Sequence, residues 1–239
     1  MTFTQDFPEA SSLLQYYLFL GQHMNKDVRH KMLALLGEMC HSCQMCVLGE
    51  HLQEVRQHKF DPHCWSSMNI SKIMVIGQGP GLNECLEGVP FVGDSGKNFN
   101  EELARHGLTR EPFYVSNTVK CYAPQNRAPT ESEVSACMHF LQMEIAILKP
   151  VLIVTLGQVA FNRFCPGMTY STRLGTISRT AGACCFAPNM PVFAIYHPSP
   201  RNLEVPERNM AFKKQMAVLC ALVKKIEAGA LKDSPESFS

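Results

Sequence analysis

A chain of 239 residues with 46% hydrophobic content is long enough to bury one sizeable core and short enough to be a single domain. Its 22 basic and 21 acidic residues leave a net charge of +1, which excludes a globally basic surface and confines any nucleic-acid contact to a local patch. The start, Met1 to Ala10, carries no base and two acids, Asp6 and Glu9, unlike a secretory signal or an Arg-rich transit peptide. The apolar run Leu13 to Leu20 contains Gln15 and is too short to span a bilayer. These features predict a cytoplasmic monomer that does not associate with membranes.

In chain order, residues 1–36 read as a helical arm, with Ser11 or Ser12 as N-cap before Leu13. Cys40 to Cys46 is a cysteine-rich turn, and Gly49 to Ile70 is polar, His-rich and aperiodic, so it reads as loop with room for one helix. Four short apolar runs follow at helix-length intervals: Lys72 to Ile76, Phe113 to Ser116, Val151 to Leu156 and Val192 to Tyr196. Runs of this kind are parallel strands buried on both faces. Between them, helices are expected over Asn98 to His106, from a Thr130/Glu133 capping box after Pro129, and over Gln158 to Phe164. The last helix starts near Pro206 and lines up Phe212, Met216, Leu219, Val223 and Ile226 on one face. Ala228 to Ser239 reads as a frayed tail. The predicted fold is α/β, a three-layer α/β/α arrangement around a central four-stranded parallel sheet.

Each strand ends in a chemically loaded turn. They are Gly77-Gln-Gly-Pro-Gly81, Asn117, Gly157, and His197-Pro-Ser-Pro200. Ligands of open parallel sheets bind beyond the carboxyl ends of the strands, so Asn117 and His197 are expected to face one cleft.

Eleven cysteines in a chain without an export signal read as reduced thiols rather than a disulfide framework. Cys64, Cys165, Cys184, Cys185 and Cys220 are ordinary small hydrophobes on this reading. Cys43-Gln-Met-Cys46 places two thiolates on one turn, and Cys121 and Cys137 supply two more. Four thiolates hold either zinc or a cubane iron-sulfur cluster. The long gap between Cys121 and Cys137 suits a cluster better than a second zinc knuckle. Cys40-His-Ser-Cys43 has the same spacing as Cys43 to Cys46, and either pair fits as ligands.

The stretch Val115-Ser-Asn-Thr-Val-Lys-Cys-Tyr-Ala-Pro-Gln-Asn-Arg-Ala-Pro129 closely resembles the asparagine strand and cluster loop of family 4 uracil-DNA glycosylases, the iron-sulfur branch of the uracil-DNA glycosylase superfamily. Three more stretches agree in order: Cys43-x-x-Cys46-x-Leu48, Gly77 to Gly81 followed by Gly88-Val-Pro-Phe-Val-Gly93, and His197-Pro-Ser199. The resemblance covers residues 40 to 225 and implies a glycosylase domain over 37–227, between the arm and a tail over 228–239. It further implies a [4Fe-4S] cluster on Cys43, Cys46, Cys121 and Cys137, with Leu48 favouring Cys46 over Cys40.

The implied reaction hydrolyses the N-glycosidic bond of uracil in single- or double-stranded DNA, after the nucleotide leaves the stack, and leaves an abasic site. On that resemblance Gly77, Gln78 and Gly79 form a pocket wall and Phe91 stacks beneath the base. Glu84 stands near C5, where bulk excludes a methyl group. The Asn117 amide complements O4 and N3–H of uracil and mismatches cytosine. His197 donates to O2 as negative charge grows there. Ser199, Arg201 and Leu203 lie on the loop that enters the helix, with Leu203 as wedge and Arg201 for phosphate.

One position departs from the pattern. Family members usually carry glutamate where this chain has Gln78, and an amide orients a water without taking its proton. Glu84 and Glu87 are then the acids that stand closest in sequence. Two readings follow: a monofunctional glycosylase, or a uracil-DNA-binding protein of the same fold with weak or no turnover. Outside the superfamily, a zinc-stabilised nucleotide-binding domain is a third. No lysine is placed as a Schiff-base nucleophile, so strand cleavage is not expected. The loop after Asn117 lacks the basic, histidine-containing insert of the branch that bonds covalently to DNA.

Overall fold

The computed structural model describes residues 24–49, 69–180 and 189–230. Strands β1 (Ile73–Gly77), β2 (Phe113–Asn117), β3 (Leu152–Leu156) and β5 (Pro191–Ile195) are buried along their whole length, as continuous apolar runs require when both sheet faces are covered. They pair in parallel, with Gly77 opposite Asn117, Ile76 opposite Thr155 and Leu156 opposite Ile195. Strand β1 lies between β2 and β3, the next two strands in sequence, and β3 in turn pairs with β5. That reversal of strand order about β1 opens a crevice at the carboxyl ends of β1 and its neighbours.

The sheet has five strands rather than four, because β4 (Ile177–Arg179) joins the edge antiparallel to β5. Three residues, Ile-Ser-Arg, are too few and too polar to carry an apolar signature; pairing with β5 makes them a strand.

One face of the sheet is covered by α1 (Lys26–His41), α4 (Glu131–Leu148) and α5 (Gln158–Phe164), which bury Leu33, Leu36, Leu141 and Phe161 against Met74, Ile76 and Ile153. The other face is covered by α3 (Asp94–Arg105) and α8 (Pro206–Glu227), which bury Phe99, Leu103, Phe212 and Met216 against Val75, Val154 and Phe193. Each such side chain contributes about 1.5 to 3 kcal/mol of burial free energy. The expected three layers are present. Short helices α2 (Leu82–Glu87), α6 (Tyr170–Arg173) and α7 (Pro200–Leu203) carry the turns between them.

Local chemistry sets the boundaries. Thr130 caps α4 in a reciprocal box with Glu133, and the Arg127 guanidinium grips the same carboxylate at 2.8 and 2.6 Å. That grip, with the backbone N–H of Thr130, holds the Glu133 carboxyl down to about 2. Pro206 opens α8 at its first turn, where a missing N–H costs nothing. Asn25 caps α1, which runs without interruption through residues 36 and 37, where the arm was expected to end. Arg29 Nη1 donates to the Ile147 and Leu148 carbonyls, both at 2.8 Å, filling two orphan acceptors at the end of α4. The expected cap at Ser11 or Ser12 and most of the loop from Gly49 to Ile70 lie outside the described residues. Among the described residues no helix is long and apolar enough to cross a membrane.

Candidate active site

Gly77 and Asn117 are paired Cα partners at the carboxyl ends of β1 and β2. The Asn117 side chain lies across that pair. A β-carbon on Gly77 would stand 2.4 Å from Asn117 Oδ1 and 2.8 Å from Phe91 Cζ, so only glycine lets both groups approach. Asn117 is 3% exposed, and among the described residues its buried Oδ1 has no hydrogen-bond partner. Such a carbonyl costs about 1 to 3 kcal/mol until a donor reaches it, a cost that suits a group aimed at a ligand.

The glycine turn is tied to the exit of β2. Thr118 donates its N–H to the Gly77 carbonyl at 2.9 Å and its hydroxyl to the Gln78 carbonyl at 2.5 Å; the Val119 N–H reaches the Gln78 carbonyl at 3.1 Å. A β-carbon on Gly79 would meet Val119 Cγ2 at 2.8 Å. The backbone of Gln78 is therefore fixed, while its half-buried side chain makes no hydrogen bond to the described residues.

Phe91 adopts the left-handed region, φ 58°, which costs a bulky residue about 1 to 3 kcal/mol. Arg110 holds it there by donating to the Pro90 carbonyl at 2.8 Å and the Phe91 carbonyl at 3.1 Å. Gly96, in the first turn of α3, packs so close that a β-carbon would fall 1.9 Å from the Phe91 carbonyl oxygen. The ring is thereby held at the end of β1.

Glu84 is a clamp. Its Oε2 accepts from the Gly81 N–H at 2.9 Å and its Oε1 from the Gly93 N–H at 2.8 Å, joining the two glycine turns that flank the crevice. With one oxygen on each loop it is not free to take Gln78's place as a base, and Glu87 is exposed at the end of α2. The carboxylate still faces the histidine electrostatically.

His197 leaves the end of β5 over Gly157, whose φ of 89° and close approach, 3.1 Å from a would-be β-carbon to His197 Cβ, demand glycine. Asn202 Nδ2 donates to the His197 carbonyl at 3.0 Å and Asn98 Nδ2 to the Pro198 carbonyl at 2.8 Å, anchoring the turn to α7 and α3. Loss of water pushes the imidazole down to about 4, against a smaller opposing pull from Glu84, so it is neutral at pH 7. Asn117 and His197 stand on the same sheet edge, separated by β1 and β3. Ser199 occupies the N-cap position of α7, without a side-chain capping bond, and Arg201 is exposed on that helix. Leu203 is half-buried against the core beneath α8 rather than projecting as an open wedge. The exposed apolar side chains near the glycine turns are Leu82, Leu86 and Val89 on and after α2.

On the α4 side of the sheet, Cys43 and Cys46 follow α1, Cys121 follows β2, and Cys137 lies on α4. Burial raises the Cys43, Cys121 and Cys137 thiols. For Cys121 the thiols of Cys137, Cys40, Cys46 and Cys43 raise it further, a mark of groups gathered together. Cys40, on the inner face of α1, is 2% exposed and belongs to this gathering. Crowded, buried thiols deprotonate readily only onto a metal, and an all-sulfur set is the one iron-sulfur clusters use. Among the described residues no group of three ligating side chains closes on a single-ion position.

Several supporting residues carry no sequence signal of their own. Thr118, Arg110, Asn98 and Asn202 act through hydrogen bonds to backbone carbonyls brought close by the fold. Lys120 and Glu144, buried as an ion pair, read in sequence as ordinary surface charges.

The family model described as the uracil DNA glycosylase superfamily matches residues 67–219. The chain is 39% identical over 137 residues to a type-4 uracil-DNA glycosylase of Archaeoglobus fulgidus, a match covering 54% of this chain and 66% of that one, just short of two thirds. It is 36% identical to the type-4 enzyme of Thermotoga maritima, over 60% of this chain and 71% of that one. For the type-4 enzyme of Saccharolobus solfataricus the identity is 34%, over 70% and 76%. The match spans all five strands, the glycine turns and the asparagine strand end, and by it the chain belongs to the uracil DNA glycosylase superfamily, in its type-4 branch.

Proposed function

We propose that this protein removes uracil from DNA by flipping the nucleotide into the crevice above β1 and hydrolysing its N-glycosidic bond. The observation that carries the reading is the buried, unpartnered Oδ1 of Asn117, held over Gly77 beside the Phe91 ring. An amide offers an acceptor and a donor side by side, the complement of uracil N3–H and O4, and a base without that pattern leaves both groups unpaired. Phe91, fixed in its left-handed backbone, supplies a face for the base. The neutral His197 imidazole donates to O2 as the departing uracil gains negative charge; one such donor contributes about 3 to 4 kcal/mol to transition-state stabilisation. Gln78, with backbone locked and side chain unengaged, orients the attacking water. Ser199 and Arg201 meet the DNA backbone.

The chain's thiols fit a [4Fe-4S] cluster on Cys43, Cys46, Cys121 and Cys137. Those four thiolates would hold it, and the cluster would then fasten the loop after β2 to the turn after α1.

A second reading has one observation in its favour: at the two positions nearest the glycine turn among the described residues no carboxylate is free, since Gln78 is an amide and both Glu84 oxygens are engaged. On that reading the protein binds uracil in DNA with little turnover. A single-turnover assay on single- and double-stranded uracil-containing DNA separates the two: alkali-sensitive abasic sites support the glycosylase. Retention of uracil-containing DNA without product supports the binder.

A further inference from the structure

Lys120 and Glu144 are 1% and 0% exposed and meet at 2.6 Å, Nζ to Oε2, directly beneath the end of β2. Two charges stay buried only where further hydrogen bonds fill their remaining positions, and here they do. Tyr114 Oη donates to Glu144 Oε1 and Ser116 Oγ to Oε2, each at 2.8 Å. Lys120 Nζ also donates to Ser116 Oγ, and to the carbonyl of Asn117 at 3.1 Å. The backbone N–H of Lys120 donates to Cys137 Sγ at 3.3 Å. Cys137 and Glu144 lie two turns apart on one face of α4. One residue thus touches the backbone of the amide that faces the crevice and a thiol of the cysteine group.

We infer that the Lys120–Glu144 pair is a positioning device for base recognition, holding the Asn117 backbone from below so that its amide meets the uracil edge, and linking that position to the loop of Cys121 and to Cys137. The inference rests on the uracil-pocket reading of the site. A pair needed for stability alone is replaceable by apolar side chains of similar volume. This one also directs its ammonium to the Asn117 carbonyl at the end of the active strand. Lys120 touches no substrate in this scheme; it acts through Asn117.

The test is a double-mutant cycle with a binding arm. Lys120→Met alone leaves a buried carboxylate unpaired, so the working variant is Lys120→Met/Glu144→Gln, which removes both charges and keeps partners for the Tyr114 and Ser116 hydroxyls. Folding and the thiol site are checked by melting and visible absorbance. In the wild-type background the pair variant is expected to lower single-turnover uracil release about 10- to 100-fold, the scale of a reading group displaced by about 1 Å. With Asn117→Ala already present, the same change is expected to alter the residual rate by no more than about twofold, because the group it positions is gone. In the binding arm, preference for a duplex with non-cleavable 2′-fluorodeoxyuridine over its thymidine counterpart is expected to fall, with affinity for the thymidine duplex unchanged. A folded pair variant with wild-type release and preference overturns the inference, as does an equal loss in both backgrounds. Wild type that releases no uracil overturns the glycosylase reading instead, and the binding arm then decides the positioning role by itself.

Discussion

Asn117 Oδ1 occupies space that a β-carbon on Gly77 would enter at 2.4 Å, so the two residues, paired across β1 and β2, fix each other's chemistry. Gly77→Ala is therefore expected to push the amide out of line while the strand itself persists, since alanine tolerates extended backbone. Single-turnover uracil release should drop by about 10² with little change in melting temperature. Wild-type release from Gly77→Ala would mean that the amide does not work from this position.

The depressed His197 imidazole sets the pH profile. Burial disfavours its charged form, so the folded group stays neutral until the pH falls to about 4, well below the usual imidazole range. If the neutral N–H is the donor to O2, the release rate is flat as pH falls from about 8 to 5 and shows no inflection at the ordinary histidine value of about 6.5. A limb centred near that ordinary value, abolished by His197→Gln, would show that the imidazole is solvated and titrates during turnover.

Iron-sulfur absorbance in the visible, a broad band at roughly 400 nm, is expected of the purified protein. Cys121→Ser should bleach it, and so should Cys46→Ser. A colourless protein carrying stoichiometric zinc contradicts the cluster. Bleaching in Cys40→Ser but not in Cys46→Ser would move the ligand pair one step along the chain, a live question because the fold brings Cys40 into the same group of thiols.

The strands and their loaded ends were legible because buried parallel strands have no polar face to hide: four runs stand out, and Gly77, Asn117, Gly157 and His197 fall at their carboxyl ends. Helices with strong caps were equally readable, α4 from Thr130 and Glu133, α8 from Pro206. Strand β4 and helix α2 were not: three residues paired to an edge and six residues between glycine turns gain their order from tertiary contacts. Glu84 had a visible position but not a visible partner, since its second bond goes to Gly93, nine residues away. Leu203 looked free in sequence and packs on the core in the fold, because α7 folds back onto α8. Lys120 and Glu144 were illegible for the opposite reason: charge predicts exposure, and only a network spanning β2 and α4 makes burial tolerable.

On the proposed glycosylase reading, Gln78 stands where a carboxylate would offset the sugar's positive charge and accept a proton from water. Glu84 does not replace it, because both its oxygens hold backbone N–H groups. Gln78→Glu is accordingly expected to raise the single-turnover rate by about 10 to 10³ with little change in DNA affinity. An unchanged or lower rate would place the acid elsewhere, and Glu84→Gln is then the variant whose rate distinguishes clamp from catalyst.

Uracil release by wild type and Asn117→Ala, measured side by side on single- and double-stranded DNA under single-turnover conditions, tests the central claim most directly. The buried amide of Asn117 carries an oxygen with no partner among the described residues, and the variant removes it without touching the strand. Wild type is expected to convert the substrate to abasic product, and Asn117→Ala to lose about 10² to 10⁴ in rate with an unaltered melting curve. Equal rates for the two proteins would contradict the account, because the end of β2 would then not read the base.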